Sequence, residues 1–237
     1  MEIVREIQIS WDQIPEDSYV RDIESLHDLH TLKFESPVTF FTGENGSGKS
    51  TLLEAIAVSL GFNAEGGTRN YSFSTRETHS DLCLGLSAIR STKRMKWGYF
   101  LRAESFYNVA TMEEEYTTMG GIPQHLHLRS HGESFLEVMR NNLYPDSLYI
   151  LDEPEAALSP QRQLTLLCMM DEAVKQGSQF IAVSHSPILL AYPSAQILSF
   201  DGSLHPVSYE DTDSYRLTKL FITQRERILE QLLGEEQ

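Results

Sequence analysis

Nine consecutive residues, Gly43-Glu44-Asn45-Gly46-Ser47-Gly48-Lys49-Ser50-Thr51, have the types and spacing of a phosphate cradle. They fit G-x-x-x-x-G-K-[ST] at Gly43, Gly48, Lys49 and Ser50. Glycines let the backbone wrap closely around phosphate oxygens, so the N–H groups from Gly46 to Thr51 can point inward as an anion nest. The Lys49 ammonium would reach the β- and γ-phosphates, and the Ser50 hydroxyl would ligate Mg²⁺. Two further stretches supply what hydrolysis of ATP needs besides a cradle. Asp152 would hold Mg²⁺ directly or through water, and Glu153 beside it would polarise the attacking water. His185, 32 residues beyond Glu153, would hydrogen-bond the γ-phosphate and report its presence.

These side chains must be delivered by particular elements. The β-branched run Val38–Thr42 reads as a strand feeding the glycine loop, and a helix from about Ser50 to Leu60 follows, ending at Gly61. Its N-terminal end adds positive dipole to the cradle. Leu148–Leu151 reads as a buried strand carrying Asp152 and Glu153 at its C-terminal end. Adjacent strand residues face opposite ways, so the two carboxylates share a site only because the strand stops there. Pro160–Lys175 reads as a helix and Gln179–Val183 as a short buried strand. His185 alone would be an ordinary loop histidine; leaving a strand that neighbours the Glu153 strand makes it a site candidate. Alternating buried strands and helices predict an α/β fold with a mainly parallel sheet flanked by helices, ligands lying at the strands' carboxyl ends.

Elsewhere, Ile3–Ile9, Thr31–Glu35 and Val38–Thr42 suit an antiparallel β portion at the N-terminus beside the parallel core. Leu82–Ile89 is apolar and Trp97–Arg102 strand-like. The intervening basic run Arg90–Lys96 reads as a solvated hairpin turn, favoured over a grip on single-stranded nucleic acid with Trp97 as stacking platform. Ser130 and Glu133 form a capping box ahead of a helix with apolar Phe135, Leu136, Val138, Met139 and Leu143. The amphipathic stretch Tyr215–Leu233 is expected to pack on the core or in a dimer.

Composition sets the limits. With 19 Lys and Arg against 34 Asp and Glu, the net charge of −15 argues against a broad phosphate-backbone footprint, so any nucleic-acid contact would be local or supplied by a partner. Cys83 and Cys168 lack the spacing of a disulfide framework or zinc site, which fits a reducing, cytoplasmic compartment. No apolar run approaches the ~18 residues of a membrane span. The 237 residues read as a single domain without repeats or linkers.

Five motifs in order, Gly43–Thr51, Ser130–Ser134, Leu151–Pro154, Ala156–Pro160 and Ser184–Ser186, resemble an ATP-binding-cassette ATPase. More narrowly they resemble the soluble group that includes chromosome-maintenance and recombination-repair heads, over roughly residues 30–200. The resemblance implies a phosphate-loop nucleotide hydrolase with a short insert at about 104–145 that carries the signature helix. It further implies ATP and Mg²⁺ bound by Asn45–Thr51, with Lys49, Glu153 and His185 in the chemistry and Ser50 and Asp152 on the metal. Two protomers would close head to head around the nucleotides, with Ser130 and Gly132 reaching the γ-phosphate across the dimer. A protein partner, such as a nuclease in DNA repair or bacterial defence, would receive the output.

The chain departs from the pattern in places. His131 replaces a signature glycine, and Ser159 stands where aspartate is usual. The family's glutamine has no clear match; Glu104 occupies a comparable strand exit, where it would contact magnesium or water. Trp11 and Tyr19 both lie upstream of the glycine loop, where an adenine-stacking aromatic is expected. The 26-residue interval from Glu104 to Ser130 is too short for a long coiled coil. Two rival readings are the ATPase subunit of a membrane transporter and a slow ATP-dependent binding switch.

Overall fold

The computed structural model describes residues 2–68, 80–102 and 131–234. Among the described residues ten strands fall into two sheets. Strand β1 (Val4–Ile9) pairs antiparallel with β2 (Thr31–Lys33) and with β5 (Leu86–Arg90) in a three-stranded sheet. The larger sheet runs β10 (His205–Pro206), β9 (Gln196–Ser199), β3 (Val38–Thr42), β8 (Gln179–Val183), β7 (Ser147–Asp152), β6 (Trp97–Arg102) and β4 (Gly67–Thr68). Its five central strands are mutually parallel, and only the two edge strands pair antiparallel. The predicted α/β architecture is thus present, with the antiparallel portion at the N-terminus. The runs Thr31–Glu35 and Val38–Thr42 part company, however, one joining each sheet.

Six helices occupy the described residues: α1 (Lys49–Ser59), α2 (Leu82–Gly85), α3 (His131–Asn141), α4 (Pro160–Lys175), α5 (Asp213–Thr223) and α6 (Arg225–Leu233). Strand alternation sorts the core into two layers. Phe41, Phe100, Leu148, Ile150, Ile181 and Val183 face α1 and the small sheet, joining Ile7, Leu52 and Ile56. Their neighbours Phe40, Tyr99, Tyr149, Leu151, Phe180 and Ala182 face the other way, against Phe135 and Val138 of α3 and Leu166 and Met170 of α4. Burial of each such side chain contributes roughly 1.5–3 kcal/mol, so both faces hold the central strands rigidly. That rigidity fixes the strand ends where the chemical groups sit.

Within the apolar run Leu82–Ile89, α2 turns into β5 at Leu86. Two local expectations are corrected. Arg90–Lys96 is not a hairpin turn, because the strands it joins belong to different sheets. There Lys93 and Lys96 pair with Asp146 at 3.1 and 2.7 Å, and Trp97 packs on Tyr144 with ring centroids 5.1 Å apart. The C-terminal stretch breaks at Gln224 into α5 and α6 and does not pack on the core: Leu217, Ile222 and Leu233 are 66%, 72% and 75% exposed. No helix among the described residues is long and apolar enough to cross a membrane.

Candidate functional site

The glycine loop leaves β3 and enters α1, as its sequence requires. Strand β8 lies between β3 and β7, pairing Phe41 with Val183 and Val183 with Asp152. This register places the exits of β3, β8 and β7 side by side: Gly43, Ser184 and Glu153 emerge at one edge. Gly43 adopts a φ of +134°, and a Cβ there would lie 2.9 Å from Asp201 Oδ1 and 3.1 Å from the Phe200 nitrogen. Only glycine tolerates both the conformation and the close approach. Asp201 uses the space to accept the Glu44 N–H at 2.7 Å and the Ser199 hydroxyl at 2.9 Å, clamping the entry to the loop.

Lys49 is buried and folds its ammonium onto the Gly43 and Glu44 carbonyls at 2.7 and 2.6 Å. Burial pushes that ammonium below the ordinary lysine range, opposed by the charges of Glu153, Asp201, Asp152 and Glu44. Ser25 Oγ donates to the Ser47 carbonyl, bracing the loop from the N-terminal side, and Ser47 Oγ is buried without a partner among the described residues.

Ser50 Oγ donates to Asp152 Oδ1 at 2.9 Å. A hydroxyl and a carboxylate in contact, beside the glycine loop, are the hard oxygen donors that suit Mg²⁺ bound with a triphosphate. Behind them, Arg102 at the end of β6 pairs with Glu54 of α1 at 2.6 Å and with Asp152 at 3.5 Å. The arginine ties the Asp152 carboxylate to the helix bearing Ser50. Sequence reasoning missed it; an arginine ending a strand beside the Asp152 strand, with Glu54 one helical turn beyond Ser50, was the available signal.

Asp152 closes β7 in strand conformation, whereas Glu153 flips to a left-handed φ of +50° while its N–H bonds to the Val183 carbonyl at 3.1 Å. Such a backbone costs a non-glycine residue about 1–3 kcal/mol and turns Glu153 onto the same edge as Asp152. His185 Nε2 lies 3.8 Å from Glu153 Oε1; the nitrogen is shielded and has no hydrogen-bond partner among the described residues. The expected trio of Lys49, Glu153 and His185 is therefore gathered at one edge. Glu155, which the sequence did not flag, lies behind them: its Oε1 accepts from Ser184 Oγ at 3.0 Å and from the His185 and Ser186 N–H groups at 2.5 and 3.1 Å. Burial pushes its carboxyl above the usual range despite these donors.

Of the two upstream aromatics, Trp11 is engaged, donating to the Leu29 carbonyl at 3.0 Å with Arg21 over its ring. Tyr19 is 58% exposed and lines a cleft of about 540 Å³ with Asp22, Glu24, Asn45, Gly46 and Ser47. A second cleft of about 440 Å³, lined by Gly43, Glu44, His185, Asp201, His205 and Leu217, also adjoins the loop. Gly132 at the start of α3 is buried: a Cβ there would lie 2.8 Å from the Ala157 carbonyl and 2.7 Å from an Arg162 guanidinium nitrogen. Close helix packing within the chain accounts for that glycine. Ser130 and Glu104 lie outside the described residues. Among the described residues no cluster of three His, Cys, Asp or Glu side chains forms a separate metal site.

Comparison with known proteins agrees with this geometry. Residues 19–108 match a family model described as "AAA domain", and residues 138–191 match one described as "AAA domain, putative AbiEii toxin, Type IV TA system". A 70-residue stretch is 37% identical to the DNA repair protein RAD50 of Drosophila melanogaster, covering 29% of this chain and 5% of that protein. The fold resembles the SMC head domain from Thermotoga maritima, with a TM-score of 0.50 and 16% identity over 88% of this chain and all of the other. It also resembles "a putative metal-chelate type ABC transporter" in an inward-facing conformation, with a TM-score of 0.50 and 17% identity over 94% of this chain and 90% of the other.

Proposed function

We propose that the chain is a P-loop ATPase domain akin to SMC heads, ABC-transporter ATPases and Rad50, and that it binds Mg·ATP and hydrolyses it between two copies of itself, a reading supported by its matches to AAA-domain models and its fold. The observation that carries this reading is the convergence at one sheet edge of the Ser50–Asp152 contact at 2.9 Å with Glu153 and His185 at 3.8 Å. The residues from Asn45 to Thr51 cradle the phosphates, and Lys49 leaves the Gly43 and Glu44 carbonyls to meet them. Tyr19 offers its exposed face to the base. Ser50 and Asp152 would hold Mg²⁺, with Glu104 as a further ligand, and the ion would supply positive charge that offsets the charge of the triphosphate.

Glu153 accepts a proton from water as the water oxygen bonds to the γ-phosphorus and the bond from that phosphorus to the β–γ bridging oxygen breaks. The proton then passes to the departing phosphate. His185 donates to a γ-oxygen as charge gathers on it. In the closed dimer Ser130, which lies outside the described residues, and the backbone of the packed Gly132 would approach the γ-phosphate of the second copy, where a helix N-terminus favours an anion. Closure acts in the cytoplasm on a partner protein, such as a nuclease, in DNA repair or in bacterial defence.

The test is Mg²⁺-dependent phosphate release by the purified protein. Wild type should turn over ATP, and Lys49→Ala should lose both binding and release. Stoichiometric ATP binding by wild type without phosphate release would instead make it a binding switch.

A further inference from the structure

Glu155 follows Glu153 by two residues, in the 3₁₀ turn Pro154–Ala157. Pro154 sets the first position of that turn, and the Ala156 and Leu158 N–H groups bond back to the Glu153 and Glu155 carbonyls at 3.0 and 2.9 Å. The turn points the Glu155 side chain inward to the exit of β8. One carboxylate oxygen there collects three donors: the Ser184 hydroxyl, the His185 N–H and the Ser186 N–H. Its other oxygen is buried without a partner among the described residues. A buried carboxylate left half unpaired is costly, and such a cost is commonly retained where geometry serves function.

The stretch Val183–Ser186 is thereby tied to Glu153–Glu155 twice. The Glu153 N–H reaches the Val183 carbonyl, and the Glu155 carboxylate reaches the His185 backbone. Nothing among the described residues hydrogen-bonds the His185 Nε2. The ring therefore takes its place from the backbone beneath it, which Glu155 holds. Charge-assisted bonds of this kind are roughly twice as strong as neutral ones.

We propose that Glu155 is a positioning residue for hydrolysis, anchoring the His185 backbone so that the imidazole stands beside Glu153 at the γ-phosphate. This rests on the reading above that His185 meets the γ-phosphate of ATP. What matters is an acceptor oxygen at the reach of a glutamate side chain. Glutamine keeps that oxygen and that reach, whereas aspartate keeps the charge but stops one methylene short.

The experiment measures kcat and KM for Mg·ATP in Glu155→Gln, Glu155→Asp, Glu155→Ala, His185→Ala and the double variant Glu155→Ala/His185→Ala, with thermal unfolding of each. Glu155→Gln should keep kcat within about threefold of wild type, while Glu155→Asp and Glu155→Ala lose about tenfold or more with KM little changed. The double variant should be no slower than His185→Ala alone, because a residue acting only through His185 has nothing left to position. Should Glu155→Ala not fold, the contrast between glutamine and aspartate still decides. Independent, multiplying losses, or an aspartate variant as active as the glutamine one, would overturn the role of Glu155. Unimpaired turnover in His185→Ala would instead overturn the reading of His185 on which it rests.

Discussion

Ser50 Oγ and Asp152 Oδ1 stand 2.9 Å apart, joining the first turn of α1 to the last residue of β7 across 102 positions of sequence. Two strands' worth of register separates their elements, so the contact reports the assembly of the whole sheet edge. It is also the pair proposed to ligate Mg²⁺. Ser50→Ala should therefore still bind ATP but need roughly tenfold more Mg²⁺ for half-maximal phosphate release, measured by metal titration at saturating nucleotide.

Arg102 bridges the same pair from behind. Its partners Glu54 and Asp152 are 12% and 10% exposed, so Arg102→Met removes the counter-charge of two largely buried carboxylates. The expected loss is about 2 kcal/mol, which in a domain of this size lowers Tm by about 4–8 °C. A scanning calorimetry trace that matches wild type would remove Arg102 from the framework of the site.

Tyr19 presents an open face beside the loop, while Trp11 is spent on the Leu29 carbonyl. Tyr19→Ala should raise KM for ATP by about tenfold and lower kcat far less, with Tyr19→Phe close to wild type. The reverse pattern, with Trp11 governing nucleotide affinity, would move the base to another surface.

Glu155 links pH to stability. Burial raises its folded pKa above that of a free glutamate, so the carboxyl favours folding most when protonated. That contribution is full below the unfolded pKa and is lost as pH rises through the raised folded pKa. Glu155→Gln cannot ionise and escapes the loss. Its Tm relative to wild type should climb as the pH is taken from below 4.5 toward neutrality, and a constant difference would contradict the burial argument.

The elements carrying the chemistry were legible because their signals are local. Pro160–Lys175 and Gln179–Val183 stand where periodicity and turn residues placed them. Glu153 joining Asp152 on one edge follows from the strand's end, and the +50° φ is how the backbone achieves it. What depends on distant pairing was hidden. Thr31–Lys33 and Val38–Thr42 both read as β-like runs, yet packing on β1 or on β8 separates them into two sheets. Arg90–Lys96 looked like a free basic turn because Asp146, which neutralises Lys93 and Lys96, lies some fifty residues downstream. Glu155 passed for a third acidic residue in a row of carboxylates. The polar run Ser184-His185-Ser186 leaving a buried strand was the clue that an acceptor was required. The C-terminal helices carry an apolar stripe that composition assigns to packing, yet none of their residues is buried.

The central claim is that Glu153 drives turnover in an ATP site shared by two copies. The decisive measurement is sedimentation velocity of Glu153→Gln with Mg·ATP, alongside its phosphate release. The account predicts a stable ATP-bound dimer, dispersing when nucleotide is removed, with turnover reduced at least a hundredfold, the order expected for loss of a positioned base. A Glu153→Gln protein that stays monomeric with ATP bound, or that hydrolyses like wild type, would contradict it.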